Sequence, residues 1–295
     1  MAPIVKRKVV PTKPKKPVFD ATLPTGNHTP LNDLHDFTFL IYGEPKIGKS
    51  SLAGQFPDAF FMFFEPGGKS IAQRQKYVPD WNAALEVLEQ LEANPSYCKL
   101  VVIDTGFAAF ERCYDYALDT LGLDKPSDGD WGEAWKVMDK EFKKFHERLF
   151  ALGLGFIVTA HSELVTVKKK NGLEHTKLRT MLGKQAWRFY NGIVDVIAYY
   201  EYDADKNRVL TIRGNADLEA GCRISDHFRF SDNDKPVEMI PMGEDEKEAF
   251  HNFKAAFENK LSSKGVFAQS KAQTKTPALT SGGSPTGKKY SRPKN

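Results

Sequence analysis

The chain has 295 residues, of which 41% are hydrophobic, enough to bury a substantial core. No apolar run reaches the length of a membrane span, and the basic N-terminal stretch lacks the apolar segment of a secretory signal. We therefore expect a cytoplasmic protein without a membrane partner. Three cysteines without C-x-x-C spacing exclude a disulfide framework and a cysteine-based zinc site.

The net charge of +4 conceals an acidic body between two basic ends. Residues 1–17 carry six basic groups and residues 261–295 carry seven, with no acidic residue in either segment. Their composition predicts a proline-rich basic arm at 1–30, a single domain at 31–260 and a disordered basic tail at 261–295. Such ends either attract nucleic acid or only keep a protein soluble, and composition leaves both interpretations open.

The segment Gly43–Ser50, GEPKIGKS, fits the phosphate-binding loop G-x-x-x-x-G-K-[ST] at every fixed position. An apolar run at 37–42 precedes it and predicts a strand, and a short helix is predicted to follow until Pro57. Strand, loop and helix are the context that ATP binding with Mg²⁺ requires. The predicted nucleotide contacts are Gly43, Glu44, Pro45, Lys46, Ile47, Gly48, Lys49, Ser50 and Ser51.

Two of these residues have distinct predicted roles. Lys49 is expected to reach the β- and γ-phosphates and to be exposed in the empty protein. The hydroxyl of Ser50 is expected to bind Mg²⁺.

Apolar strands alternate with amphipathic helices along the rest of the chain. Strands are predicted at 59–64, 99–104, 155–160, 194–200 and 208–213, and helices at 81–91, 107–121, 131–152, 181–190 and 245–260. The polar segment 163–177 is predicted to form a ribbon that turns at Asn171-Gly172. This order predicts an α/β fold with a mostly parallel sheet, helices on both faces and ligands at the carboxyl ends of the strands.

Three polar side chains follow predicted strands at those ends. Asp104 closes LVVID and is expected to hold Mg²⁺. Glu65 closes AFFMFFE and is expected to orient the water that attacks the γ-phosphorus and to accept its proton. His161 closes GFIVTAH and is either a sensor of the γ-phosphate or a structural hydrogen-bonding group. The alternative for all three is an ordinary polar residue where a strand emerges.

The remaining candidates are basic. Lys168, Lys169 and Lys170 follow His161 and are either a DNA-binding loop or a solvated ribbon tip. Arg213 and Arg223 are candidates for an arginine finger that reaches a neighbouring subunit's nucleotide, or else ordinary surface arginines.

The order GEPKIGKS, FFMFFE, LVVIDT and GFIVTAHS resembles the RecA-like P-loop ATPase core. The runs at 131–162 and 181–223 are also similar to the Sak group of phage nucleotide-binding proteins, so that the resemblance spans about residues 36–225. Two features depart from the recombinase pattern. His161 stands where recombinases carry glutamine, and no separate N-terminal DNA-binding domain is present, for which the basic tails would compensate.

The resemblance implies an ATP- and Mg²⁺-dependent protein that binds single-stranded DNA and promotes annealing or strand exchange in phage recombination or replication. It also implies a homo-oligomeric ring or filament in the host cytoplasm, with a single-strand-binding protein as a further partner. Two other classes stay open from the residues alone. One is a motor or loader ATPase acting on a replication protein, and the other is a nucleotide-gated binding module with little turnover.

Overall fold

The computed structural model describes residues 23, 25–129, 132–168, 172 and 174–264 of the chain. Two compact units divide it, residues 1–32 and residues 33–295. Within the first unit the described residues are exposed and include neither helix nor strand. Most of the predicted arm at 1–30, most of the predicted tail at 261–295, and Asn171 of the predicted turn lie outside the described residues.

A ten-stranded sheet forms the centre of the second unit as far as it is described. The strands are β1 (Thr38–Gly43), β2 (Ala59–Phe63), β3 (Arg74–Tyr77), β4 (Leu100–Asp104), β5 (Gly155–Lys168), β6 (Glu174–Thr180), β7 (Val196–Tyr202), β8 (Arg208–Thr211), β9 (Gly221–Cys222) and β10 (Met239–Pro241). Their order across the sheet is β10-β8-β7-β1-β5-β4-β2-β3, with β6 paired to β5 and β9 paired to β7. The six strands from β7 to β3 run parallel, and the others pair antiparallel.

Helices cover both faces of this sheet. They are α1 (Lys49–Ala53), α2 (Trp81–Ala93), α3 (Gly106–Leu121), α4 (Glu133–Phe150), α5 (Lys184–Ile193) and α6 (Glu246–Phe257), with short 3₁₀ turns at Leu34–Asp36, Pro95–Tyr97 and Pro126–Asp128. Helices α2 to α5 pack on one face, and α1 and α6 pack on the other. The predicted α/β fold is therefore confirmed.

The apolar character of the central strands follows from this double cover. In β1, Leu40 and Tyr42 point to the core beneath α2 to α5, whereas Phe39 and Ile41 point to the core beneath α1 and α6. All four side chains are fully buried. Because neither face meets water, these strands are continuous hydrophobic runs rather than alternating ones, which is why the sequence showed them clearly.

Some elements differ from their predicted bounds. Strand β5 continues eight residues past the predicted end at 160 and pairs with β6 to form the predicted ribbon, with Ser162 opposite Thr180 and Lys168 opposite Glu174. Strand β3 was not predicted because all four of its residues are exposed and it lies at the edge of the sheet. The helix predicted at 181–190 begins three residues later, after Gly183.

One titratable side chain lies in the core away from the carboxyl edge. His146 of α4 is fully buried, with its Nδ1 2.8 Å from the carbonyl of Phe142 and its Nε2 3.1 Å from the hydroxyl of Tyr190. Burial lowers the pKa of His146 to about 4. The imidazole is therefore neutral in the folded protein at pH 7 and serves packing.

Acidification should destabilise the fold through His146. The unfolded chain takes up this proton near pH 6.5 and the folded chain only near pH 4, so the free energy of unfolding falls over that interval, by up to about 3 kcal/mol. Urea unfolding of the parent and of His146→Gln at pH 7 and pH 4.5 measures it. We expect the parent to lose more stability than the variant, and equal losses would contradict the assignment.

Candidate active site

The phosphate-binding loop connects β1 to α1 and closes tightly against β7. Gly48 caps the helix with φ 113°, a conformation that residues with a Cβ rarely adopt. At Gly43 a Cβ would lie 2.2 Å from the backbone oxygen of Tyr200. Both glycines of the motif are therefore required by backbone geometry, independently of any ligand.

Lys49 is buried, with 6% of its surface exposed, so the expectation of an exposed lysine is wrong. Its Nζ donates to the backbone oxygens of Gly43 at 2.9 Å and Glu44 at 2.8 Å. Without phosphates, the loop's own carbonyls satisfy the amine, and the side chain folds back over the loop. Burial lowers the pKa of Lys49 to about 8, opposed by the nearby charges of Asp104 and Glu44.

Asp104 and Glu65 are each held by a threonine hydroxyl. The hydroxyl of Thr159 on β5 donates to Asp104 Oδ1 at 2.6 Å. The hydroxyl of Thr105 donates to Glu65 Oε1 at 3.2 Å. Asp104 is 8% exposed, whereas Glu65 is exposed to the cleft. One carboxylate is thus fixed deep in the site, and the other is oriented at its mouth.

Thr159 and Thr105 were missed by the sequence reasoning. Thr159 lies within the apolar run GFIVTAH, where a β-branched residue is typical of a buried strand. The signal that could have found it is a polar side chain two residues before the end of a strand that neighbours LVVID.

His161 faces the same charges. It lies opposite Gly43 in the pairing of β1 with β5, and its Nδ1 is buried without a hydrogen-bond partner among the described residues. Burial, followed by the charge of Lys49, lowers the pKa of His161, while Glu65 and Asp104 oppose the shift. The imidazole is therefore uncharged at neutral pH, with a ring nitrogen left to bind a further group.

These residues line one cleft of about 480 Å³. One wall is the phosphate-binding loop from Pro45 to Ser51, the opposite wall is the segment from Glu65 to Ile71, and Asp104, Thr105 and His161 lie between them. Its volume is within the range of pockets that bind nucleotide-sized ligands. The sequence-predicted residues of the loop, Glu65, Asp104 and His161 are thus brought together.

The cleft also offers the oxygen ligands that Mg²⁺ prefers. The hydroxyl of Ser50 and the carboxylate of Asp104 both line it, and Mg²⁺ takes hard oxygen donors with several waters retained. The residues present therefore fit the predicted ion. Among the described residues, no group of three or more histidine, cysteine or acidic side chains forms a metal site by protein ligands alone.

The other predicted residues lie elsewhere. Arg213 donates to the carbonyl of Val237 at 3.2 Å, and Arg223 donates to the carbonyl of Asn191 at 3.2 Å, near the amino end of β7. Neither is brought to the cleft of its own chain, and the role of either in a neighbouring subunit stays a prediction. Lys168 ends β5, far along the ribbon, and Lys169 and Lys170 lie outside the described residues.

A family model described as an AAA domain matches residues 35–224, more than half of the chain. The chain belongs to this family. The matched range includes the whole cleft, and AAA domains are nucleotide-binding domains of the ATPase type. No curated protein matched the chain. The narrower resemblance to the Sak group stays a prediction. None of the helices in the described part of this AAA domain protein is long and apolar enough to cross a membrane.

Nucleotide affinity should fall above pH 8 because phosphates bind the ammonium form of Lys49. Its pKa of about 8 in the empty protein means that the charged fraction declines above that pH, by up to about tenfold per unit. The dissociation constant of ADP, whose phosphates are ionised by pH 7.5, is measured from pH 6.5 to 9.5. Lys49→Arg stays charged and should show no such bend. A flat profile in the parent would contradict the buried amine.

Glu65→Gln should keep ATP affinity and lose turnover by on the order of 100-fold, because the amide cannot accept a proton from water. Phosphate release and ATP binding are measured on the parent, Glu65→Gln and the matched variant Glu44→Gln. Glu44 is an exposed carboxylate of the same site that makes no contact with Thr105 among the described residues. Equal turnover in the two glutamine variants would remove Glu65 from the mechanism.

Proposed function

We propose that this protein is an Mg²⁺-dependent ATPase that binds single-stranded DNA on the β5–β6 ribbon and promotes annealing or strand exchange. In this proposal copies of the chain assemble side by side as a ring or filament, with ATP hydrolysis controlling the grip on DNA. A single-strand-binding protein is the further partner expected in the same DNA transaction.

The chemistry at the cleft follows from its own side chains. Lys49 leaves the loop carbonyls to bind the β- and γ-phosphates, because an ammonium gains more from anionic oxygens than from neutral ones. Glu65, oriented by Thr105, positions a water molecule for attack on the γ-phosphorus and accepts its proton. A bound Mg²⁺ would offset the negative charge that spreads over the phosphate oxygens. His161 can donate or accept a hydrogen bond at the γ-phosphate through its unpartnered Nδ1.

The observation that carries the DNA proposal is the continuity of β5. This single strand contains Thr159, which binds Asp104, then His161 at the cleft, and then the half of the ribbon that ends at Lys168. A displacement of His161 on loss of the γ-phosphate would therefore move the ribbon directly, without an intervening loop. Strands transmit such shifts because their backbone is fixed by hydrogen bonds on both sides.

The charges on the ribbon suit reversible binding. Its basic side chains Lys168, Lys177 and Arg179 pair with Glu174 at 3.1 Å, Glu219 at 3.6 Å and Glu163 at 2.9 Å. These pairs are largely exposed, so each is worth only about 0–1 kcal/mol and phosphates can displace the carboxylates. The predicted basic tail would add attraction that does not depend on sequence.

The same ribbon favours one alternative, a motor or loader ATPase acting on a protein. Leu164 is 70% exposed on β5, and an exposed leucine beside paired charges is typical of a protein-binding surface. Stimulation of hydrolysis by single-stranded DNA alone would argue against this alternative.

Replacing Lys168, Lys169 and Lys170 together by serine should weaken single-strand binding and DNA-stimulated ATPase in parallel. Removal of residues 265–295 should lower affinity and flatten its salt dependence, at about 0.7 per neutralised phosphate, while stimulation at saturating DNA persists. The cut at 265 keeps Ser263, whose hydroxyl donates to Asp232 at 2.7 Å. Fluorescence anisotropy with a labelled oligonucleotide over a salt series measures binding, and phosphate release measures stimulation.

The ATPase rate without DNA is the internal control, since the ribbon makes no nucleotide contact. Full affinity and stimulation in the lysine variant, with both lost on truncation, would make the tail the DNA-binding element and the ribbon a solvated turn. Stimulation absent from the parent with any single strand would contradict the proposed function.

A further inference from the structure

Arg208 lies beside the phosphate-binding loop although it is 160 residues away from it in sequence. It is the first residue of β8 and is half-buried. A Cβ placed on Gly48 would lie 3.7 Å from Arg208 Nη1 and 3.7 Å from the hydroxyl of Tyr200. A guanidinium nitrogen therefore borders the turn that leads into α1.

The guanidinium is held in place by its other nitrogens. Nε and Nη2 donate to the backbone oxygen of Gly243 at 3.1 and 3.0 Å. This two-point contact fixes the plane of the group and leaves Nη1 on the side of the loop. Its position is thus preset, so that little side-chain entropy would be lost on binding a ligand.

The charge of Arg208 is not neutralised by a direct ion pair. Among the described residues no carboxylate lies within 4.0 Å of its guanidinium, whereas Arg148, Arg179 and Arg229 each have such a partner. A half-buried cation without a counter-ion, next to a loop that binds phosphates, is a site with a missing anion.

Sheet order determines which part of a nucleotide Arg208 can reach. The groups that act on the γ-phosphate follow β2, β4 and β5, all on one side of β1, whereas Arg208 lies on the other side, next to β7. A triphosphate on the loop therefore presents its γ-phosphate towards Glu65 and its α- and β-phosphates towards Arg208.

We propose that Arg208 binds the α- or β-phosphate of the nucleotide in its own subunit, supplying a second cation to the loop beside Lys49. This inference rests on the proposed nucleotide function and deepens it. It gives β8 and the Gly243 turn before α6 a direct contact with the ligand, in a place where sequence reasoning had put arginines only at a neighbouring subunit's site.

The test is a comparison of ADP and ATP in the parent, Arg208→Gln and the matched variant Arg213→Gln. Arg213 extends the same strand and also donates to a backbone carbonyl, yet it lies away from the cleft. Calorimetry gives the dissociation constant of ADP, and steady-state phosphate release gives KM and kcat for ATP. We expect Arg208→Gln to weaken ADP binding and raise KM by a similar factor, on the order of 10-fold, with kcat changed less than about threefold.

Arg213→Gln should bind ADP as the parent does. Arg208→Lys keeps the charge but loses the planar fork, so its affinity should lie between those of the parent and the glutamine variant. ADP affinity equal to that of the parent in Arg208→Gln would overturn the proposal, as would an equal loss in Arg213→Gln. If Arg208→Gln is unfolded, affinity equal to that of the parent in Arg208→Lys overturns it instead.

Lys49→Ala separates this proposal from the one beneath it. If Lys49→Ala loses ADP while Arg208→Gln retains it, only the assignment of Arg208 fails. If the parent and Lys49→Ala bind ADP equally, the loop is not a nucleotide site and both proposals fail together.

Discussion

The parallel pairing of β1 with β5 is the constraint on which the site depends. It places Gly43 opposite His161, so the phosphate-binding loop begins where the imidazole emerges. On its other side β5 pairs with β4, which brings the Thr159 hydroxyl to Asp104. A shift of one residue in this register would turn Thr159 and His161 to the opposite face and separate the loop from both. The hydrophobic cores on the two faces of the sheet exclude such a shift, since it would also expose buried side chains.

Charge is balanced differently at the two ends of β5. At the cleft Lys49 is buried on loop carbonyls and Arg208 is held by the Gly243 carbonyl, so two cations lie close to the loop with no carboxylate in ion-pair contact among the described residues. At the ribbon, by contrast, each described basic side chain on the two strands has an acidic partner. The cleft is therefore preset for an anion, whereas the ribbon has to exchange its partners to bind one.

The sequence was sufficient for the fold because the strands β1, β2, β4 and β5 are buried on both faces and read as apolar runs. It also located Glu65, Asp104 and His161, since each is the first polar residue after such a run. Contacts between distant segments could not be predicted. Arg208 begins an ordinary hairpin strand, Thr159 is typical of a buried strand, and the burial of Lys49 results from the loop closing on itself.

The central claim is that the state of the nucleotide passes along β5 to the ribbon. Hydrogen–deuterium exchange of Glu65→Gln, which should hold ATP without hydrolysing it, tests this claim most directly against the ADP complex. The account predicts that backbone amides of residues 162–168 and 174–180 exchange at different rates in the two complexes, while α2 on the far side of the sheet does not change. Protection of residues 43–51 by both nucleotides, with identical exchange in the ribbon, would contradict the account.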